Sequence, residues 1–209
     1  MLAAGVLLVA PAVAPTGAVI PSATAAPCPD IEVIFARGTR EPAGVGTVGQ
    51  AFVDALRPQV GGRTVSAYGV TYPASYDFLA AGDGAFDASA RAASMASSCP
   101  DTRLVLGGYS QGAAVVDILA GVPILGRNLG VPLAPDVADN VAAVAVFGNP
   151  ASKIGKAISV ASPQFAGRAI DLCKDGDPIC SDGRNPFAHN DYVSVGLPVQ
   201  AANFVAGLV

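Results

Sequence analysis

Charge is scarce in this chain of 209 residues: only 13% of positions are charged, and none lies before Asp30. The 12 basic residues are outnumbered by 16 acidic ones, giving a formal net charge of −4. A nucleic-acid-binding surface needs clustered cations to displace counterions from phosphates, so that class is excluded. Electrostatic attachment to an anionic membrane surface is disfavoured for the same reason. A neutral substrate fits better. Histidine is rarer still, since His189 is the only one, and no Cys-x-x-Cys pair occurs. Those two absences argue against a metal site, and no metal or organic cofactor is expected. There is no internal repeat. The 24 glycines and 17 prolines are scattered without a period, which argues against collagen-like or low-complexity sequence and for many tight turns.

Long apolar runs are also missing. Leu2 to Ala10 is apolar, but Pro11, Pro15 and Pro21 interrupt the chain beyond it, well short of the roughly 18 residues a spanning helix needs. The leader lacks the basic residues that usually begin an export signal, but Leu2–Ala10 is a short apolar core and Ala23-Thr24-Ala25 offers the small-x-small pattern of an export cleavage site. Residues 1–25 are therefore expected to be a signal peptide cleaved after Ala25, with residues 26–209 forming the mature domain. The mature protein is expected outside the cytoplasm, secreted or held at the cell envelope, with no stable membrane span. Four cysteines in an exported chain suggest two disulfides, and four permit three pairings. Cys28 and Cys99 each stand just before an apolar run, so both can meet at one sheet edge if those runs are neighbouring parallel strands. Cys173 and Cys180 could clip a short loop.

Five short apolar, β-branched runs read as strands: Ile31–Ala36, Thr64–Val70, Arg103–Gly107, Val141–Phe147 and Gly167–Leu172. Several are apolar on both faces, as strands buried in a parallel sheet must be. Helices are expected at Val48–Val60, Phe86–Ser98, Gln111–Ala120 and Val199–Leu208. This alternation predicts one three-layer α/β/α domain around a central five-stranded parallel sheet. In such a sheet ligands bind at the carboxyl ends of the strands. That singles out Arg37–Gly46, Thr71–Asp83, Gly108–Gly112, Gly148–Ser152 and Cys173–His189.

Gly108-Tyr109-Ser110-Gln111-Gly112 matches Gly-x-Ser-x-Gly, the sharp strand-to-helix turn that presents a nucleophilic serine. The setting fits, because Leu104-Val105-Leu106 precedes it and a good helix from Ala113 to Leu119 comes next. A serine hydroxyl needs a base to attack at neutral pH, and His189 is the sole candidate. The chain order serine, acid, histidine puts the acid between them. Asp171 falls in a strand, Asp117 lies on the helix after the serine, and Asp136 and Asp139 look like loop or capping residues. Asp175, Asp177 and Asp182 remain, and spacing does not separate Asp175 from Asp177. An oxyanion hole needs two fixed N–H donors. Gln111, at a helix start, supplies one, and Thr39, after the turn at Gly38, supplies the other. The competing view of that turn is a solvated Arg37–Glu41 ion pair beside an ordinary loop.

At this point the chain resembles the cutinase family. The segment Gly108-Tyr109-Ser110-Gln111-Gly112 is one point of likeness, and Phe35-Ala36-Arg37-Gly38-Thr39-Arg40-Glu41 is a second. Cys173-Lys174-Asp175-Gly176-Asp177-Pro178-Ile179-Cys180 is similar to the clip around that family's catalytic acid. The resemblance covers Cys28 to Val209. It implies a small, lidless α/β-hydrolase, pairing of Cys28 with Cys99 and Cys173 with Cys180, and Asp177 as the acid. It further implies a serine esterase and leaves the substrate open; the expectation is hydrolysis of short- to medium-chain lipid-like or polyester substrates by a monomer. An acetylxylan-type deacetylase, an acyltransferase and a non-catalytic envelope lipid-binding protein are the alternatives.

Overall fold

The computed structural model describes Met1, residues 27–124 and residues 126–209; the expected leader after Met1 lies outside the described residues. Five strands, β1 (Ile31–Ala36), β2 (Val65–Gly69), β3 (Arg103–Tyr109), β4 (Val141–Phe147) and β5 (Ala169–Leu172), form one parallel sheet in the order β2-β1-β3-β4-β5. Between and after them come α1 (Gly46–Leu56), α2 (Ala81–Ser98), α3 (Gln111–Leu119), α4 (Pro135–Asp139), α5 (Ile158–Ala161) and α6 (Leu197–Ala206).

The three layers follow from the side-chain period of the strands. Ile31, Val33 and Phe35 of β1, with Val105, Ala143, Ala145 and Phe147, pack against α1 and α6. Ile34, Ala36, Leu104, Leu106, Val144 and Val146 face α2 and α3 on the other side. Both faces are covered, which is why β1 and β4 are apolar and buried at nearly every position. The first connection steps from β1 out to β2 through α1, and the next steps back past β1 to β3 through α2. Crossovers of a single hand then require α1 and α2 on opposite faces, as found. That reversal makes the carboxyl ends of β1 and β3 the switch point of the sheet.

One charge is buried with its answer. Glu32, 2% exposed, points toward α2, where Arg91 grips it with two bonds of 2.7 Å and the Ser66 hydroxyl adds a third at 3.0 Å.

Several element ends differ from the sequence reading. α1 stops at Leu56, not Val60, because Pro58 has no N–H to continue the ladder and the chain tightens into a 3₁₀ turn at Arg57–Gln59. It starts two residues early, where Glu41 caps it from six residues upstream by accepting the Thr47 N–H at 2.8 Å. α2 begins at Ala81, not Phe86. Gly82 and Gly84 look like breakers in sequence, but Gly84 lets α2 approach Val115 of α3 and the Tyr72 ring. α6 runs from Leu197 because Pro198 is tolerated in a first turn. β3 extends to Tyr109 because Tyr109 pairs with Phe147, whereas β5 starts only at Ala169, where pairing with Val144 begins. β2 spans Val65–Gly69, one residue shorter at each end. The short α4 and α5 are additions to the expected elements. The Asp171 carboxylate of β5 accepts the Ile158 and Ser159 N–H groups at 3.0 and 2.9 Å, a tertiary cap for α5 that no local pattern shows.

The disulfide Cys28–Cys99 ties the entry of β1 to the end of α2, with its Cα atoms 5.6 Å apart and a sequence separation of 71. It forms there because Ile31 and Arg103 stand opposite each other in register. Closing so long a loop restricts the unfolded chain, so Cys28→Ser is expected to lower stability by about 4 kcal/mol. Urea unfolding checks this; an unchanged midpoint would contradict it.

Candidate active site

The Ser110 backbone has φ 57° and ψ −116°, a positive-φ conformation that costs a non-glycine residue energy. The strain is held from three sides. Ser110 N–H donates to Phe147 O at 2.9 Å, and its own carbonyl accepts the Ala113 N–H at 2.9 Å as α3 begins. A Cβ on Gly112 would overlap the Ala36 carbonyl of β1, and one on Gly108 would overlap the Gly112 backbone. The two glycines of the motif therefore serve close backbone approach at the switch point. The result is a hydroxyl aimed out of the sheet edge at a helix start, where the dipole favours an anion.

His189 lies in a 3₁₀ turn, Ala188–Asn190, and its Nε2 is 2.8 Å from Ser110 Oγ. Its Nδ1 is 2.7 Å from Asp177 Oδ2. Asp177 is fully buried, and both of its carboxylate oxygens are engaged. Oδ1 accepts the Ile179 N–H at 2.8 Å, and Oδ2 also accepts the Tyr192 hydroxyl at 2.6 Å. The clip that carries it is closed by the Cys173–Cys180 disulfide, with Cα atoms 5.8 Å apart. Gly176, at φ 86°, reverses the chain so that Asp177 turns inward while Asp175 stays exposed. The structure thus brings Ser110, Asp177 and His189 together and leaves Asp175 and Asp182 out. Asp117 and Asp171 are engaged elsewhere. Asn149 Nδ2 donates to both, at 2.9 and 3.0 Å, and burial drives the Asp117 carboxyl well above the usual carboxylate range.

Two aromatic residues complete the site, and the sequence reading missed both. The Tyr109 ring stacks on the imidazole, with centroids 5.1 Å apart, while its hydroxyl donates to the His189 carbonyl. Tyr192, fully buried, meets the imidazole edge-on and joins the clip to the turn by touching Asp177, Cys180 and the Lys174 N–H. Burial, above all, raises both phenol pKa values. Both therefore stay hydroxyl donors. Their positions gave a signal: Tyr109 precedes the serine, and Tyr192 stands three residues after His189, one turn on.

Thr39 and Gln111 also come together. Thr39 Oγ1 donates to Gln111 Oε1 at 3.2 Å, so that hydroxyl is already committed, and Gln111 Nε2 donates to Asp77 O at 3.0 Å. Gln111 is the first residue of α3, so its N–H has no acceptor within the helix. The Arg37–Glu41 surface ion pair does not form. Arg37, only 7% exposed, donates to the carbonyls of Glu41, Val70 and Tyr72 at 2.9, 3.1 and 2.8 Å. The Glu41 carboxylate instead accepts Gly38 N–H at 2.7 Å, bracing the turn that carries Thr39.

Two clefts open on either side of Ser110. One, about 440 Å³, is walled by Tyr76, Phe78, Ile124, Ile154 and Ile179. The other, about 510 Å³, is bordered by Tyr109, His189, Asn190, Asp191 and Ser194. Ser110 and Thr39 line both. Among the described residues no helix is long and apolar enough to cross a membrane. One cluster has metal-ligand residue types, Cys173, Asp177 and Cys180, but its two cysteines are joined in the disulfide.

A strained serine at the switch point of a parallel sheet, in line with an imidazole and a buried carboxylate, is the arrangement of the α/β-hydrolases. Comparison narrows the class. The Cutinase family model matches residues 27–209, and the chain belongs to the cutinase family. It is 53% identical over 207 residues to "Phospholipase Culp4" of Mycobacterium tuberculosis, covering 99% of this chain and 88% of that one. It is 47% identical over 192 residues to "Carboxylesterase Culp1" of Mycobacterium bovis, covering 88% and 84%. Among solved structures, a Trichoderma reesei cutinase bound to a phosphonate inhibitor is 34% identical, with TM-score 0.70 and coverage of 87% of this chain and 77% of that one. The catalytic core of acetyl xylan esterase from Trichoderma reesei has TM-score 0.75 at 26% identity, covering 88% and 100%. The protein is accordingly a carboxylic ester hydrolase of the cutinase-like kind.

Tyr192→Phe removes one of the bonds that satisfy a buried carboxylate. It is expected to cost about 1–3 kcal/mol of stability and to slow turnover about tenfold with little change in KM. Urea unfolding with steady-state kinetics checks this; an unaltered kcat would contradict a positioning role.

Proposed function

We propose that the chain hydrolyses short- to medium-chain carboxylic esters, lipid-like or polyester in origin, through an acyl-enzyme on Ser110. The supporting observation is the unbroken line Ser110–His189–Asp177, at 2.8 and 2.7 Å. His189 Nε2 takes the serine proton as Oγ bonds to the ester carbonyl carbon. The N–H groups of Thr39 and Gln111 hold the oxygen that becomes negative. Asp177 fixes the tautomer with Nδ1 protonated and stabilises the imidazolium. His189 then protonates the alcohol oxygen as the C–O bond breaks, and water repeats the sequence on the acyl-enzyme. No step calls on a metal or an organic cofactor, and one chain supplies every group.

The same geometry assigns the clefts. The departing alcohol must lie where His189 can reach it, so the cleft bordered by the imidazole takes the alcohol. The apolar cleft on the other side of Ser110 takes the acyl chain. At about 440 Å³ with aromatic and aliphatic walls, it is far larger than an acetyl group requires, which favours longer acyl chains over a dedicated deacetylase. The short apolar run Leu2–Ala10, the Ala23-Thr24-Ala25 pattern and the two disulfides support secretion.

Nitrophenyl esters of rising chain length test this reading. Activity is expected to persist beyond acetyl, while Ser110→Ala loses at least about 10⁴-fold in kcat and all labelling by a fluorophosphonate. Labelling of Ser110→Ala equal to wild type would favour the binding-protein alternative, and activity confined to acetyl esters would favour the deacetylase. Only neutral imidazole accepts the serine proton, so the rate is expected to fall on acidification; a flat profile from about pH 8 to pH 4 would contradict the assigned base.

A further inference from the structure

The two clefts differ in charge. The alcohol cleft has Glu41 and Asp191 among its lining residues and no Lys or Arg. Glu41 is held rigidly by its bonds to the Gly38 and Thr47 N–H groups, at 2.7 and 2.8 Å. Asp191 is 53% exposed and forms an ion pair with Lys174 at 3.6 Å. Behind the imidazole lies the buried Asp177. The acyl cleft has the opposite bias: it is lined by Lys153 and by no carboxylate. Arg40 lies over the Tyr76 ring at 5.6 Å from its centroid, beside that same cleft. Tyr109, in the alcohol cleft, responds to this field. Burial raises its hydroxyl pKa first, and Glu41 and then Asp177 push it further the same way.

We propose that the alcohol cleft sorts esters by the charge of the alcohol they release, favouring neutral polyols and cationic alcohols over phosphate-bearing ones. The proposal rests on the acyl-enzyme reading and on the cleft assignment above. A phosphate at the alcohol end would face Glu41 and Asp191, with Asp177 buried behind the imidazole, and among the described residues no Lys or Arg lines the cleft to receive it. Its approach is opposed at encounter and opposed again as it sheds water. A polyol instead meets Thr47, Asn190, Ser194 and two carboxylate acceptors, all able to bond hydroxyl groups. The cleft is open to solvent, so the discrimination is modest and sensitive to salt.

Three butyrates with different alcohols test it: monobutyrin, butyrylcholine and 1-butyrylglycerol 3-phosphate, with released acid titrated at low and high salt. At low salt kcat/KM for the first two is expected to exceed that for the phosphate ester by about three- to tenfold, shrinking below about twofold near 1 M NaCl. Asp191→Asn is expected to narrow the low-salt gap, whatever it does to the absolute rates. Turnover of all three with the phosphate ester equal or faster, or a gap indifferent to salt, overturns the proposal and leaves the esterase reading standing. No turnover of any, with Ser110 unreactive to a fluorophosphonate, overturns the esterase reading and the proposal with it.

Discussion

The site depends on one buried carboxylate. Asp177 has no exposed surface, and a charge removed from water survives only if its lone pairs are occupied. Three donors occupy them: the imidazole, the Tyr192 hydroxyl and the Ile179 N–H. Each of those bonds also fixes something else. The imidazole bond orients the His189 ring, the Tyr192 bond joins the clip to the turn carrying His189, and the Ile179 bond shapes the loop that walls the apolar cleft. Taking away any donor leaves a lone pair unanswered in the protein interior, so the geometry is imposed by the cost of the alternatives.

The sheet supplies the opposite boundary. β1 and β3 are neighbours whose outgoing connections leave in opposite directions, so their carboxyl ends open a gap between Thr39 and Ser110. The elbow stores backbone strain at Ser110, and Gly108 and Gly112 permit the close contacts that hold it there. Arg37 and Glu41 do the same for the Thr39 loop from below, through backbone carbonyls and N–H groups. In the proposed mechanism these groups start in place, and little reorganisation remains for the chemical step.

Much of this was legible in the residues because the relevant signals are local. Apolar runs on both faces marked buried parallel strands, and the spacing of Gly108, Ser110 and Gly112 marked the elbow. A single histidine left one candidate for the base. The choice between Asp175 and Asp177 was not local: it depends on the left-handed turn at Gly176, and only the family resemblance separated them. Tyr109 and Tyr192 were missed because an aromatic residue in an apolar chain reads as core, and their roles lie in contacts across 80 and 15 residues. The early start of α2 was hidden by Gly82 and Gly84, whose helix-breaking tendency is overridden by close packing on α3. The competing view of Arg37 and Glu41 as a solvated pair stayed open because nothing local shows that Arg37 is covered by Val70 and Tyr72 at the end of β2.

A single histidine also makes the central claim directly measurable. Proton NMR of the protein has only one imidazole to report, so a deshielded, slowly exchanging ring N–H belongs to His189 without further assignment. The account predicts one such signal, from Nδ1–H bonded to Asp177, moved by phosphonylation of Ser110 and lost in Asp177→Asn. A ring proton that exchanges freely in the wild type, or one untouched by Asp177→Asn, would contradict it.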